Sequence, residues 1–294
     1  MRVFRHHREL FIWAPAKINL FLEVLGKRPD GYHAIETLMV PIALFDVLRF
    51  APAHAAVELT CDYPGLSVGS DNLVLRAAQL LRERTGCGLG AKIHLVKRIP
   101  LMAGLAGGST DAAATLIALN QLWNLGQSPQ ALAELAGELG SDIAFFLNPG
   151  AAWCTGRGEI TRPASSPKSL DLVLILPPFG CSTPSVYRQV RVPDRPTQGD
   201  TILAALANGD IEGVGRSLHN RLQPAAEIVA PKLAELIRRI ETHRPARVLM
   251  SGSGSTLFAL ARDRNDARRL ARMLRADPEL NDCKIQPTRS LIAT

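Results

Sequence analysis

The sequence predicts an α+β fold, and three observations carry that prediction. Alternating apolar runs of strand length sit beside apolar runs with helical spacing. The two kinds of run mix without the strict strand–helix–strand alternation of a parallel α/β protein. The 294 residues, 47% apolar and 21% charged, have the composition of an ordinary globular protein long enough for two domains.

The elements follow in chain order. Residues 1–9 are basic, with Arg2, Arg5 and Arg8 beside His6 and His7, and are expected to be a disordered or loosely docked leader, or to reflect an upstream start codon. They do not lead into a secretory signal, because Pro15, Lys17 and Asn19 interrupt the apolar stretch that follows. Ile18, Leu20, Leu22 and Val24 alternate, which predicts a half-buried strand. Strands are expected up to about Cys61, then a helix over 72–84 and a strand over 91–96. A glycine-rich turn leads into a helix over 112–123, whose Ala112, Leu116, Leu119 and Trp123 share a face. A helix over 129–139, a strand over 151–155 and a hairpin turn at Gly156, Arg157 and Gly158 complete the first half. The Pro/Ser-rich stretch 162–168 reads as a linker and divides the chain into domains 1–163 and 164–294. The second half is expected to hold strands over 171–176, 247–250 and 256–260 and helices over 201–208 and 231–242. A basic amphipathic helix over 262–275 follows, with Leu270, Met273 and Leu274 on its apolar stripe.

Four segments carry chemistry. The first is Pro100, Leu101, Met102, Ala103, Gly104, Leu105, Ala106, Gly107, Gly108, Ser109 and Thr110, followed by Asp111. Glycines let the backbone bend and approach a ligand closely, and the helix start offers free N–H groups to an anion. The turn lacks the Gly-Lys-Ser/Thr of a Walker loop and the Gly-x-Gly-x-x-Gly of a dinucleotide fold. By itself it is as compatible with a plain loop as with a phosphate cradle. The second segment places Lys17 and Asn19 on the strand face opposite Ile18 and Leu20, roughly 7 Å apart. It continues into a charged loop, 26–33, that ends on Tyr32 and His33. In the third, Gly140 and Ser141 precede Asp142, which opens the hydrophobic run 143–147. The fourth, 250–258, is a glycine-serine turn between two strand-like runs.

Together, in this order and spacing, the four segments resemble the GHMP family of small-molecule kinases, from about Ala14 to Phe258. Within it, the runs Lys17-Ile18-Asn19-Leu20, Arg28 to His33 and Glu36 to Met39 are similar to a branch that phosphorylates a cytidine-diphosphate-linked methylerythritol in the non-mevalonate isoprenoid precursor pathway. The resemblance implies an N-terminal domain like ribosomal protein S5 domain 2, a ferredoxin-like C-terminal domain and an active site in the cleft between them. It implies ATP as phosphoryl donor, held by 100–110, with Asn72 and Lys97 lining the adenosine pocket. Asp142 would be the general base, with Lys17 beside it holding it ionised, and Asn19 would orient the acceptor. Tyr32 and Tyr187 would stack on cytosine and His33 would hydrogen-bond to it. Magnesium is implied by the chemistry, with no protein ligand assigned. Two departures stand out: Ala106 where the family usually has glycine, and Ala144 where proline usually follows the Asp.

The formal charge of +7 raises nucleic acid as a partner. Against it, the basic residues are scattered among acids, as in Arg82-Glu83-Arg84, and aromatics are only 5%, too few for stacking along a strand. The expected partners are small molecules, not nucleic acid. No apolar run reaches the roughly 18 residues of a membrane span. Five cysteines, odd in number and without metal-ligand spacing, fit a reducing cytoplasm. Two other functions stay open: a kinase of the same fold acting on homoserine or mevalonate, and a non-catalytic sensor of ATP and a metabolite. Tyr32 and His33 speak against the first, because those acceptors present no base to stack. Retention of both Lys17 and Asp142 speaks against the second.

Overall fold

The basic leader folds back as a strand. In a computed structural model, which describes residues 1–293, β1 (Arg2–His6) pairs antiparallel with β2 (Glu9–Lys27), Phe4 opposite Phe11. The expected loose leader is therefore corrected. Its side chains are exposed, but backbone hydrogen bonds and the Phe4–Trp13 ring pair, with centroids 5.8 Å apart, hold it to β2.

Two compact units emerge. The first comprises Met1–Ala16, Leu44–Pro100 and Ala106–Pro149; the second comprises Lys17–Ala43, Leu101–Leu105 and the chain from Gly150 onward. The units interleave in sequence because β2, of 19 residues, and β3 (His33–Ala53), of 21, each contribute residues to both.

In the first unit, β4 (Val57–Cys61) pairs parallel with β5 (Gly90–Val96), and β5 pairs antiparallel with β3. The strand order is β1–β2–β3–β5–β4. Three helices belong to this unit: α1 (Leu73–Thr85), α2 (Gly107–Leu122) and α3 (Pro129–Leu139), with a 3₁₀ turn at Ala144–Leu147. α2 starts five residues earlier than apolar spacing predicts, because its first turn is made of the loop residues Gly107 to Thr110, which have no apolar side chains to register. Ala112, Ala113, Ala114 and Ala118 are buried on several sides of α2, so neighbouring elements approach it closely.

The second unit holds β6 (Ala152–Thr155), β7 (Ile160–Pro163), β8 (Asp171–Leu176) and the short β9 (His219–Asn220). It also holds β10 (Arg247–Met250), β11 (Leu257–Leu260) and β12 (Lys284–Arg289). The strands β10–β11–β8–β12 form an antiparallel sheet. Its helices are α4 (Thr183–Gln189), α5 (Asp200–Ala207), α6 (Ile211–Ser217), α7 (Gln223–Val229), α8 (Lys232–Thr242) and α9 (Arg264–Arg275). Val173, Ile175, Leu257 and Ala259 of the sheet pack with Leu233, Ile240, Leu270 and Leu274 of α8 and α9. α9 has the expected basic outer face, although Met273 lies outside its buried stripe of Ala267, Leu270, Ala271 and Leu274. The sequence does not announce α4, α6 or α7, since seven residues are too few to display a helical period. Nor does it announce β12, whose Lys-Ile-Gln-Pro-Thr-Arg is polar and carries a proline suited to a sheet edge.

The strand expected to be half-buried is buried on both faces from Lys17 to Val24. Polar Lys17, Asn19 and Glu23 lie inside and must find partners there. The five cysteines are free thiols. No helix among the described residues is long and apolar enough to cross a membrane.

Candidate active site

The glycine turn meets α2 at Ala106, the N-cap residue, whose φ of 55° and ψ of 37° lie in the left-handed region. A methyl group there costs about 1 kcal/mol or more relative to glycine, so this departure from the family pattern carries backbone strain. Ala106 supplies no capping side chain, and its carbonyl accepts the N–H of Thr110 at 3.0 Å. By helix geometry the N–H groups of Gly107, Gly108 and Ser109 have no intrahelical partner. They converge at the positive end of a 16-residue helix, the arrangement that receives phosphate. Ser109 is half-buried, whereas Thr110 is wholly buried with its hydroxyl unpaired among protein groups.

Asn72 and Lys97 lie beside this turn, and their side chains are already engaged. Asn72 caps α1: its Oδ1 accepts from Val74 N at 2.9 Å and its Nδ2 donates to Ser67 O at 2.6 Å. A Cβ on Gly108 would touch Leu73, so α1 and α2 start side by side. Lys97 Nζ sits between Asp46 Oδ2 at 2.5 Å and Asp111 Oδ2 at 2.6 Å, all three residues buried. Lys97 is thus not an exposed cation waiting for a nucleotide. Asp142 is half-buried in the turn between α3 and the 3₁₀ segment, and Ala144 opens that segment.

The second unit contains the other half of the candidate set. Lys17 Nζ donates to Asn19 Oδ1 at 2.7 Å and to the Gly104 carbonyl at 3.1 Å. Asn19 Nδ2 donates to Thr37 Oγ1 at 2.8 Å, and that hydroxyl donates to Phe21 O at 2.6 Å. The expected shared face of Lys17 and Asn19 becomes direct contact, and Thr37 orients the amide. The glycine-serine turn covers this group. Ser251 Oγ donates to the same Gly104 carbonyl, and Gly252, at φ +56°, would place a Cβ 3.2 Å from Lys17 Nζ. Asn220 pins the turn by donating from Nδ2 to the carbonyls of Met250 and Gly252.

The three expected cytosine contacts pair differently from the sequence reading. His33 stacks on Tyr187, ring centroids 5.1 Å apart, so the two are in direct contact and no base fits between them. Tyr32 is exposed, and the Arg157 guanidinium lies 4.8 Å above its ring. Glu159 accepts the Arg157 backbone N–H at 2.6 Å and fixes that turn. Burial and nearby Lys27 lower the His33 pKa and so favour the neutral ring, which has one donor and one acceptor nitrogen.

Sequence reasoning missed Thr37, Asn220, Arg157, Asp46 and Glu23. A signal existed for Glu23: it continues the face of Lys17 and Asn19 in a strand whose other face is wholly apolar. Its carboxylate accepts from Arg221 Nε at 2.7 Å, from the N–H groups of Val24 and Thr197, and pairs with His219 Nε2. Burial alone would raise its pKa, but these donors push it down to about 2.

Near the start of α2, Asp46 and Asp111 already hold an ammonium, so they offer no vacant pair of carboxylates to a resident magnesium. Among the described residues no cluster of three or more His, Cys, Asp or Glu is placed to hold a metal.

Comparison with known proteins shows what the chain as a whole is similar to. Residues 72–150 match the GHMP kinases N terminal domain and residues 202–279 the GHMP kinases C terminal domain. The chain is similar to the 4-diphosphocytidyl-2-C-methyl-D-erythritol kinase of Pelotomaculum thermopropionicum, with 45% identity over 90% of this chain and 94% of that protein. A crystal structure of a 4-(cytidine 5'-diphospho)-2C-methyl-D-erythritol kinase superposes with a TM-score of 0.79 at 38% identity, over 95% of this chain and 98% of the other. Homoserine kinase from Cytophaga hutchinsonii has a TM-score of 0.76 at 18% identity, over 99% and 97%, and shares the fold.

Proposed function

We propose a reaction for this chain from one premise: it belongs to the GHMP kinases, and within them to the 4-diphosphocytidyl-2-C-methyl-D-erythritol kinases. It transfers the γ-phosphoryl group of ATP to the 2-hydroxyl of 4-diphosphocytidyl-2-C-methyl-D-erythritol, a step in the non-mevalonate route to isoprenoid precursors. The observation that carries the reading on this chain's own residues is the buried Lys17–Asn19–Thr37 relay, tied through Gly104 to the glycine turn.

Phosphoryl transfer asks mainly for positioning and charge stabilisation. The first-turn amides of α2 hold the triphosphate, and magnesium arrives with the nucleotide. Asp142 takes the proton of the acceptor hydroxyl as its oxygen bonds to the γ-phosphorus and the bond to the departing ADP breaks. Lys17 stabilises negative charge on the transferred group, and Asn19 orients the acceptor. Tyr32, His33 and Tyr187 receive the cytidine end, with the neutral His33 reading a base edge. The functional division is 1–163 for the nucleotide-holding part and 164–294 for the C-terminal part, supported by the matches at 72–150 and 202–279. The free thiols suit a reducing compartment, the cytoplasm.

The test is ADP release with ATP, magnesium and the cytidine-diphosphate substrate, with homoserine and mevalonate in parallel. Turnover is expected with the first acceptor only. Asp142→Asn is expected to lower kcat by about 10²- to 10⁴-fold. An unchanged kcat in that variant removes Asp142 as the base, and ATP binding without turnover on any acceptor favours the sensor.

A further inference from the structure

We infer that Lys97, clamped between Asp46 and Asp111, is a positioning residue that fixes the first turn of α2 and thereby the amides that receive the triphosphate. α2 has no capping side chain, so something else must hold its start in place. The clamp joins three elements. Asp46 lies on β3, Lys97 directly follows β5 and Asp111 lies one turn into α2. Asp46 also accepts the N–H groups of Arg98 and Ile99 at 2.6 and 2.8 Å, which sets the chain just before Pro100. Asp62 accepts the Lys97 backbone N–H at 2.7 Å, which holds the lysine main chain.

The clamp explains Gly107. A Cβ there would lie 3.0 Å from Lys97 Nζ and 3.0 Å from Ile99 Cγ2, so any larger residue would crowd the ammonium and push against the clamp. Three charged or polar groups buried this deeply are costly to leave unpaired, and Lys97 is what brings Asp46 and Asp111 together. The arrangement is not fully satisfied: Asp111 Oδ1 and the neighbouring Thr110 Oγ1 have no protein partner. Burial pushes the Asp111 carboxyl up to about 8, against the pull of Lys97.

The inference rests on the reading of 106–110 as the ATP cradle, so wild-type turnover saturating in ATP is measured first; its absence removes that reading and the clamp's role together. Given saturation, KM for ATP, KM for the acceptor and kcat are measured for Asp111→Asn, Lys97→Met and the double variant. Asp111→Asn keeps its shape and leaves Asp46 paired with Lys97, so it is the variant most secure in folding. It is expected to raise KM for ATP by about tenfold or more and to leave KM for the acceptor within about twofold. Lys97→Met is expected to do the same, and the double variant to be no worse than the more severe single one, as members of one network behave. If Lys97→Met raises KM for ATP while Asp111→Asn does not, Lys97 touches the nucleotide directly and the clamp is overturned. Unmoved KM for ATP in folded Asp111→Asn overturns it as well.

Discussion

Two buried carboxylates in this chain have opposite fates. Glu23, in the second unit, is met by Arg221, His219 and two backbone N–H groups, and its pKa falls to about 2. Asp111, in the first, shares one ammonium with Asp46, keeps an oxygen without a partner, and rises to about 8. Burial raises both; at Glu23 the hydrogen bonds of Arg221, Thr197 and Val24 outweigh it, whereas at Asp111 burial and the neighbouring Asp46 carboxylate outweigh the pull of Lys97. A fully satisfied carboxylate serves the fold: Glu23 ties β2 to the segment at Thr197 and to Arg221 beyond β9. An under-satisfied one occurs where a chain keeps polar groups placed at some cost, here one turn into the helix proposed to receive phosphate.

The contrast breaks most easily at Glu23. Glu23→Ala removes the carboxylate that Arg221 was folded against, and is expected to cost about 3 kcal/mol, the low end for buried pairs because Arg221 keeps some water. Asp111→Asn, which leaves Lys97 paired with Asp46, is expected to cost less than half of that. Urea unfolding of the two variants decides it, and equal losses would mean that donor count does not rank these sites. The pH dependence sharpens the same point with opposite signs. The folded-state pKa of Glu23 lies below its ordinary value of 4.5, so its stabilisation is present above that value and is lost as pH falls toward 2. The folded-state pKa of Asp111 lies above its ordinary 3.8, so its contribution is greatest below that value and is lost as pH rises toward 8. Unfolding free energies from pH 3 to 9 should show both arms, and Asp111→Asn should flatten the upper arm alone. The smallest effect is expected at the helix start itself. Ala106→Gly relieves the left-handed strain and should raise stability by about 1 kcal/mol. A drop in thermal midpoint would show that the strain is absent.

Much of the fold was legible in the residues, and the boundary between legible and hidden has a physical cause. α1, α3, α5, α8 and α9 display caps or apolar periods over two turns or more, and the structure has them within a residue or two of the expected bounds. Short α4, α6 and α7 have no such period, and β1 carries no buried side chain to betray it. At the site, Lys17 with Asn19 was visible because strand geometry puts alternate residues on one face. Asp46 was not, because its partners Lys97, Arg98 and Ile99 are 51 to 53 positions away and nothing local marks it. His33 and Tyr187 were visible as ring-bearing residues, yet their direct stacking depends on a helix that the sequence did not announce.

By itself the sequence determined the fold class, the kinase family, the glycine turn at a helix start and the shared strand face of Lys17 and Asn19. Each of these is written in local spacing: a period of two or 3.6, or a motif a few residues long. Only the tertiary structure decided that both faces of β2 are buried, that Lys97 is spent on two carboxylates, that Asn72 caps α1 and that Arg157 lies over Tyr32. Those outcomes are settled by which donors reach a desolvated group from elsewhere in the chain, and desolvation is not a property of any one stretch of residues.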